Sequence, residues 1–146
     1  NIFGPEGTWE GGREKAPAAM CRKVAYSNQT DTIEVWGDGE QTRSFLFIDE
    51  CIEATRRLME HPNFVGPINI GSEEMVTINK LVEITSKVAN KMISKKHIAG
   101  PLGVRGRNSS NNLIRSVLNW DYELTLEEGI RRTYTWISSQ LSDASK

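Results

Sequence analysis

Trp36-Gly37-Asp38-Gly39-Glu40-Gln41-Thr42-Arg43-Ser44-Phe45-Leu46-Phe47-Ile48-Asp49-Glu50 decides how the rest of the chain is read. It opens on the end of an apolar run, Ile33–Trp36, which predicts a short strand, and Gly37-Asp38-Gly39 turns it. Arg43–Ile48 follows as a second strand-like run. Asp49 then stands where a helix cap belongs, and the helix predicted from it runs to about Glu60. His61-Pro62-Asn63 stops that helix, because the residue before a proline is driven out of the α region. Strand, turn, strand and helix in so short a stretch put the chain in the α/β or α+β class.

Toward the start, residues 1–15 (NIFGPEGTWEGGREK) are rich in glycine and charge and read as a loop. Ala16 to about Ala25 reads as a helix, with Pro17 in the first turn, where its missing N–H costs nothing. Toward the end, Pro67–Ile70, closed by Gly71-Ser72, is a strand candidate. Thr77 caps the next helix, whose Ile78, Leu81, Val82, Val88 and Met92 fall on one face. Lys96–Ala99 is a further strand candidate, Gly100–Asn112 a long polar loop, and about Asn112 to Leu118 a short helix. Thr125-Leu126-Glu127-Glu128 is a capping box. It opens a last helix with Leu126, Ile130, Tyr134, Ile137 and Leu141 on one face. Polar loops this long in a small domain are more often functional than idle.

Composition narrows the function. The 146 residues suit one domain with its own core, and 38% apolar with 25% charged residues excludes a disordered chain. A formal charge of −1 argues against nucleic acid as the main partner. The longest apolar run, Phe45–Ile48, is far short of a membrane span, and a cytoplasmic protein is expected. Cys21 and Cys51 have no metal-ligand spacing and read as a reduced pair. Asn1-Ile2-Phe3-Gly4-Pro5 reads as turn-like rather than as a secretory leader. A chain that opens on a loop reads as a piece of something longer.

Gly100-x-x-Gly103-x-x-Gly106 has a dinucleotide-binding spacing, but Pro101 sits inside it and no helical apolar face follows, so it is rejected as a nicotinamide phosphate loop. The same loop carries Arg105 and Arg107 on a glycine-rich backbone, a composition suited to gripping a diphosphate. Gln41-Thr42-Arg43 at a strand entry suits a charged ligand as well as it suits a solvated turn. Lys15, after Gly11-Gly12-Arg13-Glu14, is an acid/base candidate, and Lys23 lies two turns further along the same helix. The tryptophans and methionines read as core, and Cys21 as a buried helix residue. His61 and His97 are isolated and support neither a Ser-His-Asp set nor a metal site.

Asn1-Ile2-Phe3-Gly4-Pro5, the stretch Trp36–Glu50 and Ile68-Asn69-Ile70-Gly71-Ser72 together resemble the C-terminal half of extended short-chain dehydrogenases/reductases, the NAD-dependent epimerase/dehydratase family. Gly7-Thr8-Trp9-Glu10-Gly11-Gly12-Arg13-Glu14-Lys15-Ala16-Pro17-Ala18-Ala19 and Gly103-Val104-Arg105-Gly106-Arg107-Asn108-Ser109 narrow that resemblance to the plant-type GDP-mannose 3,5-epimerases. The resemblance implies a Rossmann-type α/β fold of which residues 1–146 are the C-terminal substrate-binding part, the NAD-binding half being absent. It implies GDP-mannose as substrate and GDP-L-galactose, a precursor of ascorbate and cell-wall sugars, as product. NAD oxidises C4 transiently, and an acid/base pair then exchanges the acidified protons at C3 and C5.

Carried over by resemblance, Lys15 is the acid/base lysine. Asn1, Glu14, Lys15, Ala16 and Lys23 contact substrate, and Gln41, Thr42, Arg43 and Arg107 grip the nucleotide and diphosphate. No residue here is assigned to NAD or to a metal. The family's Tyr-x-x-x-Lys pair is not found: Tyr26, Tyr122 and Tyr134 are followed four residues later by Thr30, Leu126 and Ser138. The expectation is therefore a piece that binds substrate without turnover, from a cytoplasmic homodimer joined through its other half. The alternatives are a UDP-glucuronate decarboxylase or dTDP-glucose dehydratase, whose generic loops would look the same, and a non-catalytic binding module.

Overall fold

A computed structural model describes residues 1–101 and 103–144. In chain order the elements are β1 (Ile2–Phe3), α1 (Ala16–Tyr26), β2 (Thr32–Trp36), β3 (Thr42–Ser44), β4 (Leu46–Phe47), α2 (Ile48–Glu60), β5 (Met75–Thr77), α3 (Ile78–Val88), β6 (Ser94–Ile98), β7 (Gly106–Arg107), α4 (Asn112–Leu118) and α5 (Leu126–Ala144). The strands form three small sheets. β1 runs parallel to β4, and β2 runs parallel to β6 from Thr32 beside Ser94 to Trp36 beside Ile98. β3 lies between antiparallel β5 and parallel β7. Parallel pairs joined through helices make the α/β class expected from the sequence.

Several local expectations need correction. Ile2–Phe3, read as loop, is a strand, because a parallel partner in β4 satisfies its backbone. The run Arg43–Ile48 is not one strand: it breaks at Phe45, and Ile48 already belongs to α2. Phe47, not Asp49, is the N-cap of α2, and Asp49 sits in the first turn, where a carboxylate favours the helix dipole. Pro67–Ile70 forms no strand; the partner of β3 is Met75–Thr77. Met92 lies beyond the end of α3 and is exposed, as are Met59, Met75 and Trp36, so the methionines and tryptophans are not uniformly core. The capping box is half made: Thr125 Oγ1 accepts from the Glu128 amide, while the Glu128 carboxylate pairs with Arg131 and Arg132.

The core follows from periodicity. β2 alternates, with Ile33 and Val35 inward and Thr32, Glu34 and Trp36 outward. Ala18, Cys21 and Val24 of α1, Leu81 and Val82 of α3, and Leu126, Ile130 and Ile137 of α5 bury against that row and against one another. Phe3 meets Phe45 and Phe47 edge-on, with ring centroids 6.3 and 5.7 Å apart. A smaller cluster of Leu46, Ala54, Ile114 and Trp120 lies between α2 and α4. The C-terminal end of α1 is held by Lys91, whose Nζ donates to the carbonyls of Val24 and Ser27 at 2.7 and 2.6 Å. Among the described residues no helix is long and apolar enough to cross a membrane.

The turn between β2 and β3 is pinned by Asn79. Its amide nitrogen donates to the Asp38 carbonyl and to Glu40, and its backbone N–H donates to the Gly39 carbonyl. Its Oδ1 faces His97 Nε2 at 2.9 Å, so the proton of that bond belongs to the imidazole. Gly39 is buried at φ +71°, and a Cβ there would strike the Asn79 amide. Gly39→Ala therefore meets both an unfavourable backbone region and a clash. It is expected to lower the unfolding free energy in urea by about 1–2 kcal/mol or more.

Candidate functional site

Two cavities are lined by three of the sequence-predicted residues, Asn1, Arg107 and Lys15. Asn1, Ser44, Asn69, Gly71, Arg107 and Ser109 line one, of about 270 Å³. Ile2, Phe3, Gly7, Thr8, Arg13 and Lys15 line the other, of about 200 Å³. β1 separates them. The Asn1 amino group is held below the ordinary N-terminal range first by its own burial, then by the Lys15 charge, with Arg107 adding in the same direction. Lys15 and Arg107 thus both lie within electrostatic reach of Asn1. Asn1 is fixed in turn by its side-chain amide, which donates to the Ser44 carbonyl at 3.1 Å.

β3 carries the nucleotide-gripping candidates. Its register sets Arg43 beside Arg107 and Thr42 beside Gly106. The Thr42 amide donates to the Arg105 carbonyl at 2.9 Å. Arg43 Nη1 donates to the neighbouring Thr42 carbonyl, and neither Arg43 nor Arg107 has a carboxylate at ion-pair distance among the described residues. Arg105, which the sequence groups with Arg107, is already paired: its Nη1 lies 2.8 Å from Asp38. It ties the 100–107 loop to the β2–β3 turn and does not present a free guanidinium. Gln41 Nε2 donates to the Trp36 carbonyl at 3.2 Å, and its Oε1 is buried without a partner.

The residues around α1 divide. Lys15 is the N-cap position of the helix and is exposed; Ala16 is its first residue and half-buried. Glu14 is almost fully buried and pairs with Arg22 at 2.8 Å, leaving Oε2 buried without a partner. Its carboxyl is held below the ordinary range, first by hydrogen bonding from its own backbone, then by Arg22 against the opposing effect of burial. Lys23 does not join Lys15: its Nζ donates to the Glu34 carbonyl on β2 at 2.7 Å. Burial first, then the Arg22 charge, lowers its pKa below the usual lysine range. Cys21 is sealed in the core, where burial pushes its thiol up to about 12 and removes it as a nucleophile.

Sequence reasoning did not single out Asn69, Ser44 and Ser109 as cavity walls. All three stood in quoted motifs, but their meeting is tertiary, as in the close approach of Gly71 to Ser109, where a Cβ on the glycine would collide with the serine side chain. The rejected Gly100–Gly106 spacing leads into strand β7 and not into a helix N-terminus. It does not fit a dinucleotide's pyrophosphate.

The family described as NAD dependent epimerase/dehydratase matches residues 1–71. An epimerase from Methanothermobacter thermautotrophicus has the same fold, with a TM-score of 0.86 and 20% identity over 99% of this chain and 43% of its own. The match over residues 1–71 and the shared fold agree with the family that the chain's motifs resemble. The chain is similar to GDP-mannose 3,5-epimerase of Arabidopsis thaliana, at 55% identity over 97% of this chain. It is also similar to GDP-mannose 3,5-epimerase 1 of Oryza sativa subsp. indica, at 54% over the same share. The chain spans 37% and 36% of the length of these two relatives.

The Glu14 carboxyl gives a pH test. Ionised Glu14 stabilises the fold above its unfolded value of 4.5, and that contribution is lost as pH falls through its lowered folded value. Glu14→Gln is expected to flatten the loss of unfolding free energy between about pH 5 and 3, measured by urea denaturation at each pH.

Proposed function

We propose that residues 1–146 are the substrate-binding portion of an epimerase that converts GDP-mannose to GDP-L-galactose. One observation carries the proposal. β3 and β7 register Arg43 beside Arg107, and among the described residues no carboxylate stands at ion-pair distance from either. Like charges side by side oppose folding, and a diphosphate relieves that opposition with charge-assisted hydrogen bonds. In this reading Arg43 and Arg107 hold the diphosphate, and Gln41 and Thr42 the nucleotide side. Asn1, Glu14 and Ala16 face the sugar side, whereas Lys23, expected there from the sequence, is tied to the Glu34 carbonyl on β2. The partnerless oxygens of Glu14 and Gln41 are acceptors that a ligand's O–H or N–H can satisfy after a small rearrangement.

Lys15, exposed at the mouth of the second cavity, is the group that takes and returns a proton at a sugar carbon beside a carbonyl. No redox step is assigned to these residues, since the Gly100–Gly106 spacing leads into β7 and not into a helix N-terminus. NAD held by a separate half, and a cytoplasmic homodimer, complete the proposal. The 55% identity to a GDP-mannose 3,5-epimerase supports a guanosine diphosphate sugar over the UDP or dTDP sugars of the decarboxylase and dehydratase alternatives.

Calorimetric titration with GDP-mannose tests the site. Arg107→Ala should weaken binding about ten- to a hundredfold, the 1.5–3 kcal/mol of a charge-assisted bond. An unchanged dissociation constant makes Arg107 a solvated loop residue, and tighter binding of UDP-glucose than of GDP-mannose by the parent chain favours the alternatives. Incubated with GDP-mannose and NAD, the 146-residue chain should form no GDP-L-galactose; formation of product would defeat the division of labour proposed.

A further inference from the structure

We infer that Arg22 is a positioning residue for Lys15: its guanidinium closes the loop that delivers the lysine and holds the adjacent Glu14 carboxylate away from it. This role rests on the acid/base reading of Lys15 above and deepens it. Arg22 lies on α1, about two turns beyond Lys15, and lines neither of the two cavities. Its Nε donates to the Trp9 carbonyl at 3.0 Å, and its Nη2 donates to Glu14 Oε1 at 2.8 Å. Those two partners bracket residues 10–13. Thr8, just before the bracket, and Lys15, just after it, both line the second cavity. One guanidinium therefore sets both flanks of the loop against that cavity. The loop apex stands in open space: a Cβ added at Gly11 or Gly12 would meet no atom within 4 Å, and both glycines have positive φ. A glycine apex without packing is held by its ends, and Trp9 is packed against the core at one of them.

The chemistry of Lys15 gives the second half of the role. A lysine takes a proton from carbon only as the free amine, and a carboxylate beside it favours the ammonium form. Glu14 is the neighbouring residue and is able to supply that carboxylate. Arg22 occupies it instead, in a pair whose side chains are 28% and 7% exposed, and among the described residues Lys15 has no carboxylate at ion-pair distance. The other charged groups around Lys15 are the Asn1 amino group before β1 and Arg13 on the same cavity, and neither is an acid. On α1, Lys23 is turned to the Glu34 carbonyl of β2. Lys15 is the N-cap of α1 but makes no side-chain cap bond, so its amine is not engaged at the helix end. The planar fork of arginine serves the carbonyl and the carboxylate together, which a lysine at position 22 cannot do.

The test uses the full chain and GDP-4-keto-6-deoxymannose, a sugar nucleotide that already carries the C4 ketone and needs no oxidant. In D2O, one base on one face removes a proton beside the ketone and returns a deuteron without inverting the carbon, which mass spectrometry counts. The parent should exchange faster than Lys15→Ala. Arg22→Gln, shown to be folded by circular dichroism, should exchange about tenfold more slowly with GDP affinity unchanged. Its Lys15 should also react about threefold less with acetic anhydride at pH 8, because the freed Glu14 carboxylate holds the proton on the amine. Adding Glu14→Gln to Arg22→Gln should restore that reactivity, which a loosened loop alone would not do. Arg22→Lys, with the charge but not the fork, should recover the reactivity and only part of the exchange rate. Glu14→Gln alone should leave Lys15 reactivity as in the parent, a readout that needs no Arg22 variant to fold; a threefold rise means that Glu14 already acts on Lys15 and overturns the role. Exchange and reactivity equal to the parent's in Arg22→Gln also overturn it, while the acid/base reading stands. If the parent exchanges no faster than Lys15→Ala, the acid/base reading fails and the positioning role with it.

Discussion

The parallel run of residues 32–43 beside 94–107 is the constraint on which the candidate site depends. Backbone hydrogen bonds join the two segments at both ends, as β2 with β6 and as β3 with β7. The ladders fix which residues face each other, because a shift of one position would send alternate side chains to the opposite face. Arg43 meets Arg107 for that reason, although their charges repel. The energy that holds them together comes from elsewhere: the buried row of Ile33 and Val35 under three helices, and the Asn79 clamp on the turn. Functional sites commonly concentrate such local conflict, which a ligand of opposite charge resolves.

Around this frame, polar side chains act more as fasteners than as chemistry. Asn79, Lys91 and Arg105 each close a loop onto the main chain or onto a neighbouring acid. Glu50 accepts from the amides of Glu123 and Leu124 and so joins α2 to the approach to α5. Arg115 does the same for α4, between Glu73 and Asp121. Among the described residues Arg43 and Arg107, registered beside each other, have no carboxylate at ion-pair distance, and Arg107 lines a cavity. That contrast makes the set readable as a binding surface.

Much of the fold was legible in the residues, and the failures have a common cause. Helices α1, α3, α4 and α5 announced themselves through Pro17, Thr77 and apolar positions at helical spacing, which are local properties. The strands did less well. Ile2–Phe3 and Gly106–Arg107 are two residues each, too short for any alternation, and exist because a distant strand supplies their hydrogen bonds. Met75–Thr77 took the place expected of Pro67–Ile70 for the same reason. In the site, residue type singled out the basic loops around Lys15 and Arg107, which line two of the cavities. It could not tell Arg105, neutralised by Asp38, from Arg107, which is not.

The sequence by itself determined the α/β class, the starts of α1, α3, α4 and α5 and the family resemblance, since these rest on turn residues, caps and motifs within a few positions of one another. Tertiary structure decided which lysine stands at the cavity and which is tied to the Glu34 carbonyl, which arginine is free, and that Trp36 faces outward while Trp120 is buried. Those outcomes depend on partners dozens of residues away. A side chain's burial and charge environment belong to the packed assembly of strands and helices, not to its neighbours in sequence.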